Sequence, residues 1–183
     1  MLRKIILSVL VVGVFANSGF TQGFTPGKGF KEFDFGIGTG FNYSGGLPLY
    51  LGFDLGLSDP FTLGPRVVYR TYTLSTTSFG GVNLKTTSNF INIGLRGNYH
   101  YSTHIQDLPP NLDLYGGLGL YLAVANVSVT EDLTNTTTNT SSSNAQLNIQ
   151  LGARWYFTDK WGVNLEFTGG NLSGADIGLS YKL

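Results

Sequence analysis

The sequence predicts an all-β fold: an eight-stranded, antiparallel, up-and-down transmembrane β-barrel. Three observations carry the prediction. Eight segments alternate between apolar and polar residues with a period of two, as a strand does when it sends successive side chains to opposite sides. Every formally charged residue inside those segments falls on the polar face. The apolar face carries the long aliphatic and aromatic side chains.

At 183 residues the chain amounts to one domain. Arg3 and Lys4 precede an apolar run from Ile5 to Phe15, and Ala16, Asn17, Ser18 and Gly19 follow. That run is shorter than the roughly 20 residues a membrane-spanning helix needs, so residues 1–22 read as a cleavable secretory signal. Residues 23–31 then form a short periplasmic lead-in, and residues 32–183 form the barrel.

The first strand, Glu32–Tyr43, sets Phe33, Phe35, Ile37 and Phe41 against Glu32, Asp34, Gly36, Gly38 and Gly40. The second, Leu49–Ser58, opposes Leu49, Leu51, Phe53, Leu55 and Leu57 to Tyr50, Gly52, Asp54 and Gly56. The third, Leu63–Leu74, is the least regular, because Val68 and Leu74 fall on the polar side. Strands Asn89–Tyr101, Leu112–Val127, Ala145–Phe157, Trp161–Gly170 and Ala175–Leu183 complete the set. Ser44-Gly45-Gly46, Ser58-Asp59-Pro60, Pro109-Pro110-Asn111, Thr158-Asp159-Lys160 and Gly169-Gly170-Asn171 supply turns between them.

Glu32, Asp34, Asp54, Arg66, Arg70, Arg96, Asp113, Arg154, Glu166, Asp176 and Lys182 all take the polar face. Parity alone leaves two barrels open, one soluble with an oily lumen and one inverted in lipid. The polar face is rich in Gly, Asn and Gln rather than the Lys and Glu of a soluble surface. Charged residues make up 12% of the chain, against roughly 25% in soluble proteins. Phe33, Phe35, Tyr99, Tyr101, Trp155, Phe157, Trp161 and Tyr181 cluster toward one rim, as an interfacial aromatic girdle does. These features put the apolar face in lipid. With both termini periplasmic, connections 44–48, 75–88, 128–144 and 171–174 are extracellular and longer than the periplasmic 59–62, 102–111 and 158–160.

On these residues the chain resembles the small eight-stranded outer-membrane β-barrels of Gram-negative bacteria, of the OmpX type and the transmembrane half of OmpA. The last strand is similar to the signal read by the barrel assembly machinery: Asp176, Gly178 and Tyr181 match its pattern, and Leu183 stands where a terminal Phe is usual. The resemblance implies residence in the outer membrane, contact with its lipid, and the assembly machinery as a partner during biogenesis.

Eight strands leave a lumen that side chains fill. Asp34, Asp54, Arg66, Arg70, Arg96, Asp113, Arg154 and Glu166 are expected to form an ionic network there. Arg70 is expected near mid-height with Asp54, Arg96 and Glu166, and Arg66 lower. Inward glycines make room for the arginines and for Tyr50, Tyr72, Tyr115, Tyr121 and Tyr156. The predicted function is that of a small non-catalytic barrel with a plugged lumen and a structural or surface-contact role. A narrow channel or small-solute transporter is the alternative, and a lipid-modifying enzyme a remote one. His100 and Ser102 share a face and resemble the His–Ser pair of outer-membrane lipid A deacylases, but they sit at the periplasmic rim. Gly36-Ile37-Gly38-Thr39-Gly40 lies within a strand and lacks the helix a nucleotide loop requires. No cofactor or metal site is expected, and balanced charge gives no footprint for nucleic acid. Loops 75–88 and 128–144, the latter a solvated Ser/Thr/Asn tract, are the candidate surfaces for an extracellular partner.

Overall fold

The computed structural model describes residues 24–40, 45–77, 83–132, 134–170 and 173–183. The expected signal, residues 1–22, lies outside the described residues, as do Phe41 and Tyr43. Eight antiparallel strands close into one barrel in sequence order. They are β1 (Lys31–Gly40), β2 (Leu49–Ser58), β3 (Phe61–Thr77), β4 (Asn83–His100), β5 (Leu112–Glu131), β6 (Thr136–Tyr156), β7 (Trp161–Gly170) and β8 (Gly174–Lys182). Pairing of β1 with β8, from Glu32↔Lys182 to Gly40↔Gly174, seals the sheet. Closure gives the backbone N–H and C=O groups of the spanning strands a partner without leaving an edge in lipid.

The barrel is inside-out. Leu51, Leu120, Leu147, Ile149 and Ile177 are exposed on its outer wall, whereas Glu32, Asp54, Asp113 and Arg154 are fully buried within. Water would not tolerate such an oily exterior, so the wall belongs against acyl chains. Aromatic contacts mark the end that carries both termini. Phe33 meets Phe53 at 4.9 Å, Phe61 meets Tyr99 at 5.2 Å, Tyr99 meets Tyr101 at 5.1 Å, and Trp161 meets Tyr181 at 4.6 Å. Phe53 and Phe61 thus join the residues expected in the girdle. Tyr101 does so from a 3₁₀ turn, Tyr101–His104, since β4 stops at His100.

Two expected loops are largely strand. Segments 75–88 and 128–144 were expected as solvated connections, but β3 and β4 stay paired to Thr77↔Asn83, and β5 and β6 to Glu131↔Thr136. β2 leaves β3 at Leu49↔Tyr69, and β7 leaves β6 at Asn148↔Gly170. Four strands therefore continue beyond the rim as a sheet open at both edges.

The reason the periodicity missed this arm is physical. Outward positions in register across the arm run from Tyr69, Ile91, Val124 and Ser143 to Thr71, Asn89, Asn126 and Ser141, then Thr73, Thr87, Ser128 and Asn139. On β3, β4 and β5 the outer face thus changes from apolar to hydroxyl and amide within one step, which marks where lipid gives way to water. Inward positions mix apolar with polar residues: Phe90, Ala125, Val127 and Val129 lie in register with Arg70, Ser88, Ser142, Thr140 and Thr138. Leu74, irregular by sequence, belongs to this arm, whereas Val68 lies just below it, paired with Tyr50 of β2. Threonine suits a pleated sheet, and Thr73–Thr87 and Thr130–Thr137 hydroxyl bonds at 3.2 and 3.1 Å cross it.

A charge on the lipid face tests the inversion. Leu51, paired with Phe35 and Val67 on that wall, should resist substitution by arginine. Leu51→Arg is expected to lose about 2–4 kcal/mol of folding free energy in lipid vesicles. Urea titration against the wild type would measure it, and equal midpoints would contradict the lipid-facing assignment.

Candidate functional site

Because inward positions alternate, each strand delivers a polar side chain to the lumen every second residue. The three arginines at the centre bring those side chains together. Arg154 on β6 inserts among Glu32, Asp34, Asp54 and Asp113: its Nε lies 3.0 Å from Glu32, its Nη2 2.8 Å from Asp34 and 2.5 Å from Asp54, and its Nη1 3.3 Å from Asp113. Arg96 on β4 pairs with Asp34, with Asp54 at 3.1 Å and with Glu166 at 3.0 Å. Arg66 on β3 reaches Glu166 at 3.2 Å and Asp176 at 2.5 Å. One ion-paired cluster therefore joins side chains from all eight strands. Glu32 and Asp176 belong to it although neither was placed in the expected network, and Arg66 reaches toward Asp176 rather than lying low with Arg154.

Hydroxyls and rings fill the remaining space. Tyr115 donates to Glu166 at 2.8 Å, Ser180 to Asp34 at 2.7 Å, Tyr50 to Asn164 at 2.6 Å, and Tyr156 to Glu32. Arg66 lies over the Tyr50 ring at 4.0 Å and Arg154 over Tyr115 at 4.2 Å. The tyrosines fit only because facing residues are small. A Cβ on Gly152 would run into the Tyr115 ring, and one on Gly36 would come 2.8 Å from the Tyr50 hydroxyl.

The two ends of the lumen differ. At the end with the termini, the lead-in folds back across the opening. The amide of Gly56 donates to Phe30 and that of Gly29 to Gly56, at 2.7 and 3.1 Å. Phe24 is buried against Tyr156 and Phe30, with ring centroids 5.2 and 5.6 Å away, and Lys182 lies over both the Tyr156 and Phe24 rings. Polarity alternation held no signal for this lid, because it is not a strand.

At the other end a cup of about 280 Å³ opens beneath the arm, lined by Arg66, Arg70, Phe90, Asn92, Tyr121 and Gln146 among others. Arg70, expected at mid-height, sits here, its guanidinium 4.8 Å from the Phe90 ring centre and 5.6 Å from that of Tyr72.

No family model matches the chain, and no curated protein sequence does. Solved structures do. Ail, the attachment invasion locus protein of Yersinia pestis, crystallised with the heparin analogue sucrose octasulfate, superposes with a TM-score of 0.58 at 10% identity. That likeness covers 85% of this chain and 99% of Ail. Neisserial surface protein A gives 0.51 at 14% identity, over 84% of this chain and 95% of that one. The chain has the fold of the small eight-stranded outer-membrane β-barrels.

In this outer-membrane barrel the residues of the expected assembly signal take different places. Asp176 turns inward onto Arg66, Gly178 lies against the Tyr50 hydroxyl, and Tyr181 points out to Trp161. Leu183 is exposed, its amide donating to Lys31 at 3.0 Å. The His–Ser pair meets on a shared acid. His100 Nδ1 lies 2.8 Å from Asp113, and the Ser102 hydroxyl donates to Asp113 at 3.1 Å, while His100 Nε2 faces Thr62 at 3.0 Å. The imidazole thus does not face Ser102, and all four residues are buried. Glu32, Asp34 and Asp54 bring carboxylate oxygens within 4.8 Å of one another. Arg154 occupies the place among them that a metal ion would take.

Removing one partner from a buried ion pair leaves charges uncompensated. Arg154→Met, of similar length, is expected to lose about 3–5 kcal/mol. Arg154→Lys should recover part of that, since it restores charge without the planar fork. The midpoint of the heat-induced shift in electrophoretic mobility would rank the three proteins, and indistinguishable midpoints would contradict the clamp.

Proposed function

We propose that this protein is a non-conducting outer-membrane barrel whose role is contact at the cell surface, made by the arm that β3–β6 raise beyond the rim. The observation that carries this reading is the free edge of β6. Above Asn148 it has β5 as its only strand partner among the described residues, and from Thr136 to Asn144 it is exposed and holds no charge or proline. Natural edges are usually blunted by lysine, proline or a bulge. An unblunted one suits an extended segment of another protein that adds as a further strand, with backbone bonds giving affinity.

The same geometry disfavours a second copy as that strand. Both edges of the arm lie over the short wall of its own barrel, so a neighbour seated in the same membrane would collide below. The partner comes from the aqueous side. A sulfated ligand such as the heparin analogue bound to Ail fits poorly, because Arg70 points into the cup and the rest of the arm bears Lys85 against Glu131 and Asp132.

Two observations favour a closed lumen over the channel alternative: the ion-paired cluster across the middle, and Phe24 over one end. The taken-up bonds and burial of His100 and Ser102 weigh against an enzyme.

Two measurements test the proposal. In planar bilayers the purified protein is expected to give no steady conductance, and a persistent ohmic current would favour the channel instead. Deleting residues 128–139 and joining Val127 to Thr140 through an Asn-Gly turn should leave the barrel folded. Cells displaying the shortened protein should then adhere to host cells or to one another less than cells with the full arm. Equal adherence would count against the arm as the contact surface.

A further inference from the structure

We infer that the cup at the outer mouth is a binding site for an uncharged small molecule with an apolar, ring-sized body and an N–H or O–H donor. The site is separate from the edge of β6, and its occupancy does not depend on the contact role of the arm.

Gln146 is the first ground. It lines the cup, is only 9% exposed, and its Oε1 accepts no hydrogen bond from the described residues. A buried acceptor without a donor is destabilising, and a ligand donor would relieve it. The second ground is the wall. Val68, Phe90, Ala123 and Ala125 give the cup apolar surface, interleaved with Arg70 and Asn92, inside a lumen that is otherwise polar. Water alone would satisfy Gln146 while leaving that wall wet. A solute with both characters satisfies both.

Charge sets the class. Arg66 and Arg70 reach the cup, and Asp176 lines it with Glu166 beneath, bonded to Arg66. Both arginines already have partners, Arg66 in these carboxylates and Arg70 in the rings of Phe90 and Tyr72, so a charged ligand would have to displace one. Size sets the scale. An engineered apolar cavity of about 150 Å³ holds benzene, so about 280 Å³ admits a body of roughly twice that bulk. Among the described residues access is from the mouth, since the ionic cluster forms the floor. The site therefore holds a ligand rather than passing it through.

The probe for a test is N-acetyl-L-tryptophanamide, which is neutral, has a ring and carries three kinds of N–H donor. N-acetyl-L-tryptophan and tryptamine supply the anionic and cationic counterparts. Saturation-transfer NMR on the full barrel in nanodiscs of deuterated lipid would read binding, with empty nanodiscs as the baseline for partitioning. The neutral probe is expected to bind saturably and more tightly than either charged one. Gln146→Leu should weaken it about tenfold, the loss of one hydrogen bond. Ala123→Trp, which fills the cup, should abolish binding, and Ala125→Phe replaces it if the first variant folds in poor yield. Heat-modifiable mobility reports folding in each case. The site is overturned if the neutral probe shows no saturable signal above empty nanodiscs, or if the filled variants bind as well as the wild type. Unchanged affinity in Gln146→Leu, or tighter binding of a charged probe, overturns the ligand class.

Discussion

Arg154 holds the structure's central constraint. Its guanidinium meets carboxylates from β1, β2 and β5, and Arg96 and Arg66 extend the same pairing to β7 and β8. Charges this deeply buried cost several kcal/mol each unless paired, and removing one side of a pair strands the other. The cluster is therefore satisfied only when all eight strands are in register, because a one-residue slip would turn each inward charge to lipid. Buried ion pairs are weak evidence for stability as such. Here they supply specificity, by making the closed barrel the arrangement in which no carboxylate is left alone.

That constraint separates the molecule into a sealed floor and an open top. Below the rim, side chains fill the lumen, with Gly152 yielding to Tyr115 and Gly36 to Tyr50, and the lead-in covers the end through Phe24. Above it, β3–β6 leave lipid. Outward positions become Thr, Asn and Ser, and inward ones now include Val, Phe and Ala beside Arg70, Ser88 and Ser142. The same change produces both surface features: an uncharged strand edge in water, and a half-apolar cup over a polar floor. Both belong to the end opposite the aromatic girdle.

Much of this was legible in the sequence, for a definable reason. Where one face meets lipid and the other a packed polar lumen, alternation is enforced residue by residue, so the barrel portions of the strands and the inward charges could be read from parity. Legibility failed where that pressure ends. The Thr136–Ala145 half of β6 has water on its outer face, so nothing demands apolar residues there and it resembles a loop. Phe24 and Phe30 act from a non-strand segment outside any period. Parity also gives a side but not a height, because strand tilt and side-chain length decide how far an arginine reaches. Hence Arg70 lies at the mouth against Phe90, Arg66 extends to Asp176, and Asp113 gathers His100 and Ser102 instead of completing a catalytic set.

The inversion of the outer face along a single strand is the most direct point of attack, and the absence of native cysteine makes it clean. Nitroxides attached to single cysteines at Leu118, Leu120, Leu122, Asn126, Ser128 and Thr130 of β5 would be exposed in turn to oxygen and to a water-soluble nickel chelate. The first three should relax mainly with oxygen, as groups in acyl chains do, and the last three mainly with nickel. Efficient nickel relaxation at Leu118 and Leu120 would mean that water wets the oily wall, and the inside-out barrel with its ionic core would be wrong.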